Sequence, residues 1–223
     1  MFAFLTVRNQ HSSLVAMVSR LQAWGLDVVI LDNASEYPPL LEYYERRPCE
    51  VIRYPRNGDH KRFWGLSAQV RDTGPVVISD PDLDLAPLPD DWLERCREGL
   101  AAHPECDKIG PSLRLSDLPD TPVASRAKQY ESRYWRNKRG AYWVAPIDTT
   151  LHLLRDGMQP FRYDALRLDE PYSVRHLPWY EDPDALSEEF RYYLDRVDRR
   201  VSYWGNVTLG HLSARDAPPG AER

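Results

Sequence analysis

The chain has 223 residues, 42% of them hydrophobic, which is enough for one large domain or two closely joined halves. Its net charge of -5 argues against general nucleic-acid binding through a basic surface, and three cysteines without a CxxC pair argue against a disulfide scaffold. No apolar run approaches the roughly 20 residues that cross a bilayer, and MFAFLTVRNQ has no charged leader region, so a cytoplasmic protein without a transmembrane segment is expected.

Strand and helix signals alternate through the first half. Phe2 to Val7 is a short apolar strand ending in Arg8-Asn9. Leu14, Met17, Val18, Leu21 and Trp24 follow at helical spacing, and Gly25 can close that helix. The second strand, Asp27 to Leu31, ends in Asp32-Asn33-Ala34-Ser35, with Ser35 as candidate cap for a helix from Pro38 to Arg46. A third strand, Glu50 to Tyr54, ends in Arg56-Asn57-Gly58-Asp59, and a helix is predicted over Lys61 to Arg71. The fourth, Pro75 to Ser79, runs into the aspartates of VVISDPDLDL. Asp90 or Asp91 then caps a helix bearing Trp92, Leu93, Cys96 and Leu100, and a fifth strand covers Lys108 to Leu115.

The second half is less regular. Ala124 to Lys138 reads as a basic helix, and Tyr142 to Leu154 as a strand broken at Pro146-Ile147-Asp148. Asp169 to Pro183 reads as a Pro-rich aromatic loop, Leu186 to Val197 as an amphipathic helix, and Ser213 to Arg223 as a disordered tail.

Such alternation predicts an α/β fold, a mainly parallel sheet with helices on both faces. Ligands bind such sheets at the carboxyl ends of the strands. Arg8-Asn9, Asp32-Asn33, Asn57-Gly58 and Asp80-Pro81-Asp82 should therefore meet along one edge. Strand-to-helix turns favour Asn and Asp in any case, but three in-line aspartates exceed what a turn requires.

Asp80, Asp82 and Asp84 alternate along an extended chain and point the same way, although like carboxylates repel. An EF-hand loop would need Gly at its sixth position and Glu at its twelfth, where Leu85 and Asp91 stand. A DxD phosphohydrolase would place its nucleophilic aspartate on the first strand, and here the motif follows the fourth. A surface turn explains one aspartate more readily than three. A divalent-metal site explains how Asp80 and Asp82 tolerate each other, with Asp84 as metal ligand or turn residue: hard carboxylate oxygens suit Mg²⁺ or Mn²⁺, which would neutralise the diphosphate of a sugar nucleotide.

With FAFLTVRN, VVILDNAS, YPRNGDH and VVISDPDLDL in that order, the chain resembles the GT-A glycosyltransferases, in the style of the bacterial family-2 enzymes, over roughly its first 115 residues. The resemblance implies a GT-A, Rossmann-like fold in two abutting halves. Residues 1–115 would bind the nucleotide sugar, 116–205 the acceptor, and 206–223 would form a tail. It implies a hexosyltransferase-type enzyme moving a sugar from a nucleoside-diphosphate donor, UDP-linked by expectation, to a hydroxyl of a glycan or small acceptor, with inversion. Asp32, with Asn33 beside it, matches the aspartate that meets the nucleotide base. Asp80 and Asp82 match the metal-binding D-x-D, and Asp84 is an additional acid. His176 is the candidate for a later metal-binding histidine, ahead of His60. Asp148 is the expected base, with Glu181 and Asp182 as alternatives that equally fit a helix cap. Asn57, Arg56 and Lys61 are candidates for the nucleotide and its phosphates.

Aromatic faces stack on sugars, so Trp179, in its Pro-rich loop, and Trp143 are candidate sugar contacts. The basic stretch RAKQYESRYWRNKRG is a candidate for an anionic acceptor or peripheral membrane contact, though a solvated helix face explains it as well. A non-catalytic relative that binds a nucleotide or glycan remains the alternative from another class.

Overall fold

Phe2–Val7 (β1) shows why the first half folds as it does. Ala3, Leu5 and Val7 enter one hydrophobic cluster, and Phe4 enters a second on the opposite face. The same division separates Val28 and Ile30 from Val29 and Leu31 in Asp27–Asp32 (β2), and Val77 from Val76 and Ile78 in Val76–Ser79 (β4). Strands apolar on both faces need cover on both, which is the demand of a parallel sheet inside an α/β protein. Burying each such side chain stabilises the fold by about 1.5–3 kcal/mol before entropy is counted.

The computed structural model describes residues 1–58, 62–66, 74–155, 165–197 and 203–215. The strand order is β3-β2-β1-β4-β9-β6-β10-β8-β7, with β5 paired to β10. Here β3 is Glu50–Arg53, β5 Leu83–Asp84, β6 Lys108–Leu113, β7 Lys138–Arg139, β8 Tyr142–Val144, β9 His152–Leu154 and β10 Ala165–His176. Strands β3, β2, β1 and β4 are mutually parallel, and β9 enters antiparallel between β4 and β6. The carboxyl ends of the first four strands therefore share one edge. Among the described residues no helix is long and apolar enough to cross a membrane.

The helices are Ser12–Ala23 (α1), Pro38–Glu45 (α2), Trp92–Ala102 (α3), Pro122–Glu131 (α4), Glu188–Asp195 (α5) and Tyr203–Arg215 (α6). α1 buries Leu14, Met17, Val18 and Leu21, and Gly25 closes its end at φ +74°, a conformation glycine adopts without strain. Its amino end is satisfied from far along the chain: the Glu189 carboxylate accepts the His11 amide at 2.6 Å and the Ser12 amide at 3.1 Å. That contact ties Glu189 to the start of α1 and places an anion where the helix dipole favours one. Ser187 caps α5 by accepting the Phe190 amide at 3.1 Å.

Several expectations are corrected. Ala124 to Lys138 is not one helix: α4 ends at Glu131, a 3-10 turn follows over Ser132–Trp135, and β7 begins at Lys138. The first part of the supposed loop after Asp169 belongs to β10, whose register slips between Leu168 and Ser173. Ser35 does not cap α2; its Oγ accepts the Asn9 amide instead. Asp91 occupies the cap position of α3 without a side-chain cap, and its carboxylate takes Arg95 and the Tyr172 hydroxyl. α6 reaches Arg215, three residues into the stretch read as disordered. Of the helix predicted over Lys61 to Arg71, the described part is a 3-10 turn at Arg62–Gly65. His60 and Lys61 lie outside the described residues.

Candidate functional site

β4 delivers Asp80 to the carboxyl edge of the sheet, where the Asp80 amide donates to the Thr149 carbonyl at 2.9 Å. The Thr149 hydroxyl returns a bond to Asp80 Oδ2. Burial, reinforced by the Asp82 charge, pushes the Asp80 carboxyl well above the usual carboxylate range. The Thr149 hydrogen bond opposes the rise, and Asp148 adds to it. Asp148 itself is exposed, so the site's edge carries an acid open to solvent beside one that is half-buried.

Asp82 lies where the chain turns towards β5. Its carbonyl accepts the Leu177 amide at 2.8 Å, and its Oδ2 lies 3.5 Å from His176 Nε2. The other oxygen, Oδ1, is buried without a hydrogen-bond partner among the described residues, and so is His176 Nδ1. Burial lowers the His176 pKa, against the pull of Asp82, which favours neutral imidazole with a lone pair to offer. His176 is set in place by β10, where it pairs with Leu83 of β5, and by rings: Trp179 at 4.7 Å and Trp204 at 6.3 Å between centroids.

Asp84 has a different environment. Its Oδ2 takes Arg175 Nη1 at 3.0 Å and its Oδ1 accepts the Ala86 amide at 2.9 Å. Arg175 continues to Asp117, which also accepts the Tyr180 hydroxyl at 2.6 Å. The three in-line aspartates thus divide: Asp80 bonded to Thr149, Asp82 against His176, and Asp84 in an ion pair and a turn.

The ends of β1, β2 and β3 are joined through Asn33. Its Oδ1 accepts the Gly58 amide and the Arg62 guanidinium at 2.9 Å each, its Nδ2 donates to the Gly58 carbonyl, and its carbonyl takes Arg8. Asn9 sits in the left-handed region at φ +53°, accepting the Glu36 and Tyr37 amides on Oδ1 while its buried Nδ2 has no partner among the described residues. Ala34 is also left-handed, at φ +58°, a strain of about 1–2 kcal/mol for a residue with a Cβ. Asp32 is wholly buried, its oxygens taken by Tyr44 at 3.1 Å, the Ser35 amide at 3.2 Å and Arg53 at 3.3 Å. Asn57 is half-buried and Arg56 exposed beside them.

The remaining candidates are dispersed. Trp179 is 1% exposed and lies in the core under His176, not on a presented loop. The Pro178 turn folds it inward, and Trp204 of α6 closes over it at 5.2 Å. Trp143 lies on β8, donating to Asp169 at 2.8 Å and packed on Trp135. Glu181 is half-buried, and burial raises its carboxyl against the Ser187 amide. Exposed Asp182 accepts the Asp184 amide at 2.9 Å. The sequence reading missed Thr149 and Arg53, while Asn9 lies at the strand edge where the sequence placed it.

Among the described residues no three His, Cys, Asp or Glu side chains stand close enough together to hold a metal ion by themselves. His176 faces Asp82 through Nε2, so its partnerless Nδ1 points away from that carboxylate; the partnerless Asp82 Oδ1 is a hard oxygen of the kind a divalent ion takes when phosphate groups supply further ligands. Mg²⁺ is commonly bound in that manner, by one or two carboxylates plus phosphates.

No family model matches the chain. Among solved structures, a mannosyltransferase from Pyrobaculum calidifontis in complex with GDP-Man and Mn²⁺ superposes with a TM-score of 0.51 at 12% identity, covering 98% of this chain and 76% of that one. A glucosyl-3-phosphoglycerate synthase from Mycobacterium tuberculosis in complex with phosphoglyceric acid gives 0.44 at 10% identity, over 69% and 56%. A leucine–tRNA ligase from Pseudothermotoga lettingae is 36% identical over 74 residues, 33% of this chain. The chain spans only 9% of the length of that curated relative. The parallel strands, the antiparallel insertion and the superposition on the mannosyltransferase define a GT-A, Rossmann-like fold.

Proposed function

We propose that the protein is a metal-dependent glycosyltransferase. It takes a sugar from a nucleoside-diphosphate donor, UDP-linked by expectation, and passes it with inversion to a hydroxyl of a glycan or small acceptor. The observation that carries this reading is the Asp82–His176 pair beside Asp80, with the buried Asp82 Oδ1 left partnerless at the ligand edge of a GT-A sheet. A buried polar atom without a partner costs free energy, about 1–3 kcal/mol, which a ligand would recover.

Asp80, Asp82 and His176 would hold Mn²⁺ or Mg²⁺, and Asp84 would contribute from one step back through Arg175. The ion would supply charge neutralisation for the departing nucleoside diphosphate. Residues 1–115 would bind the donor and 116–205 the acceptor. Asp32 would act by holding Arg53 and Tyr44, and Asn33, Asn57, Arg56 and Lys61 would line the nucleotide end. Asp148, exposed beside Asp80, would take the acceptor's hydroxyl proton as that oxygen bonds to the anomeric carbon and the bond to the diphosphate breaks. Glu181 is the alternative base, and its raised pKa suits a proton acceptor.

Release of nucleoside diphosphate from a panel of sugar nucleotides, with and without Mn²⁺, tests the reading. The mannosyltransferase neighbour binds GDP-Man, so GDP-linked donors belong in the panel. Metal-dependent release that disappears in Asp82→Asn is expected. Hydrolysis of simple phosphoesters with no metal-dependent release from any donor would instead support a phosphohydrolase.

A further inference from the structure

Lys108 opens β6 and Arg167 lies in β10, and both are nearly inaccessible, at 3% and 6% exposure. Burying a cation costs several kcal/mol unless strong partners replace its water. The strand register places the two on one face: Ala165 pairs with Lys108, and Arg167 with Gly110. What they reach there are consecutive carbonyls of one irregular segment. Lys108 Nζ donates to Ile147 O at 3.2 Å. Arg167 donates to Pro146 O twice, from Nε at 3.1 Å and Nη2 at 2.7 Å. Its remaining fork is bound by the buried Glu131 carboxylate.

We propose that Lys108 and Arg167 are positioning residues, a pair of buried cations that pin the Pro146 and Ile147 carbonyls and thereby hold Asp148 and Thr149 against Asp80. Two successive peptide planes fixed by charged donors leave the next two residues little freedom. Thr149 then meets Asp80 through both backbone and hydroxyl, and Asp148 lies within reach of its charge. The segment is pressed onto the sheet at the same place. A Cβ on Gly110 would stand 2.2 Å from the Leu151 carbonyl, so only glycine admits this approach. The catalytic consequence rests on the proposed glycosyltransferase reading, while the mechanical coupling does not.

Amide exchange in the ligand-free protein tests the coupling. The variants are Lys108→Met and the double variant Arg167→Met/Glu131→Gln, which avoids stranding a buried carboxylate. The Asp80 amide, bonded to Thr149 O, should exchange at least about tenfold faster than in the parent, while the Tyr54 amide, bonded to Asp32 O on the same sheet edge, keeps its rate. A purely structural role would accelerate both amides together, and that result, or an unchanged Asp80 rate, overturns the proposal. Should the Met variants not fold, Arg167→Lys serves: one ammonium cannot hold Glu131 and Pro146 with the geometry of a guanidinium fork. A selective rise of about threefold or more at Asp80 is then expected, and equal rates reject the coupling. Titration of Mn²⁺ with UDP into the same proteins reads the consequence as weakened affinity relative to the parent. If the parent itself binds no Mn²⁺ with UDP, the functional reading fails and the exchange result stands alone.

Discussion

Asp84 and Arg175 face each other across the antiparallel pair of β5 and β10, with Arg175 Nη1 3.0 Å from the carboxylate. The same register pairs the next residue, His176, with Leu83, immediately after Asp82. The third aspartate of the acidic run thus fixes the strand that brings histidine to the second. Both partners are about one third exposed, so Asp84→Asn should cost only about 0.5–1 kcal/mol of stability. Urea unfolding reads that loss. Titration of Mn²⁺ with UDP should show a weaker effect than Asp82→Asn; equal damage from both would make Asp84 a direct ligand.

Trp179 is a core residue, so its replacement should act on stability before it acts on a sugar. Trp179→Ala is expected to lose about 3–5 kcal/mol in equilibrium unfolding, because the cavity beneath His176 and Trp204 cannot fully collapse. Trp179→Phe should remain folded and bind donor with the parent's affinity. A selective loss of sugar binding in that variant would restore Trp179 as a ligand contact.

His152 gives a pH dependence whose sign is fixed. Burial, aided by the Lys108 ammonium, lowers its pKa from 6.5 to about 3, although the Thr150 carbonyl pulls the other way. Above pH 6.5 the ring is neutral in both folded and unfolded chains, and the term is flat. Between 6.5 and about 3 only the unfolded chain takes the proton, so stability falls as pH falls. In denaturant titrations the parent should lose up to about 1.4 kcal/mol per pH unit more than His152→Asn across that window. Parallel slopes would mean that the folded protein protonates His152 freely.

The choice of base separates two acids in different settings. Asp148→Asn should lower turnover about a hundredfold or more with donor affinity kept. Glu181→Gln should leave turnover within a fewfold of the parent. Steady-state kinetics with a competent donor decides between them, and the reverse pattern would move the proton transfer to Glu181.

Strands β1, β2 and β4 are legible in the sequence because strands buried on both faces must be short and apolar, and the edge strand β3, only half-buried, carries Glu50 and Arg53 at its ends. The convergence of Arg8, Asn33 and Gly58 follows from their parallel order. β10 is concealed by Asp169, Glu170 and Pro171, which fall where its pairing with β6 slips and so break the apolar alternation. Trp179 misleads for another reason: a Pro-flanked aromatic looks exposed until Trp204, on a helix beginning at Tyr203, packs over it. Lys108 and Arg167 leave a fainter trace, as single cations within the apolar stretches CDKIGPSL and ALRL. Charge in such a run signals a buried polar partner without naming it.

Calorimetric titration of Mn²⁺ together with UDP, and in parallel with GDP, into the parent and into Asp80→Asn and Asp82→Asn tests the central claim most directly. The account predicts that the parent binds one nucleoside diphosphate only in the presence of the ion, and that both substitutions abolish this metal-dependent binding in proteins that still unfold cooperatively. Binding of equal strength in parent and variants, or in the presence and absence of Mn²⁺, would contradict it.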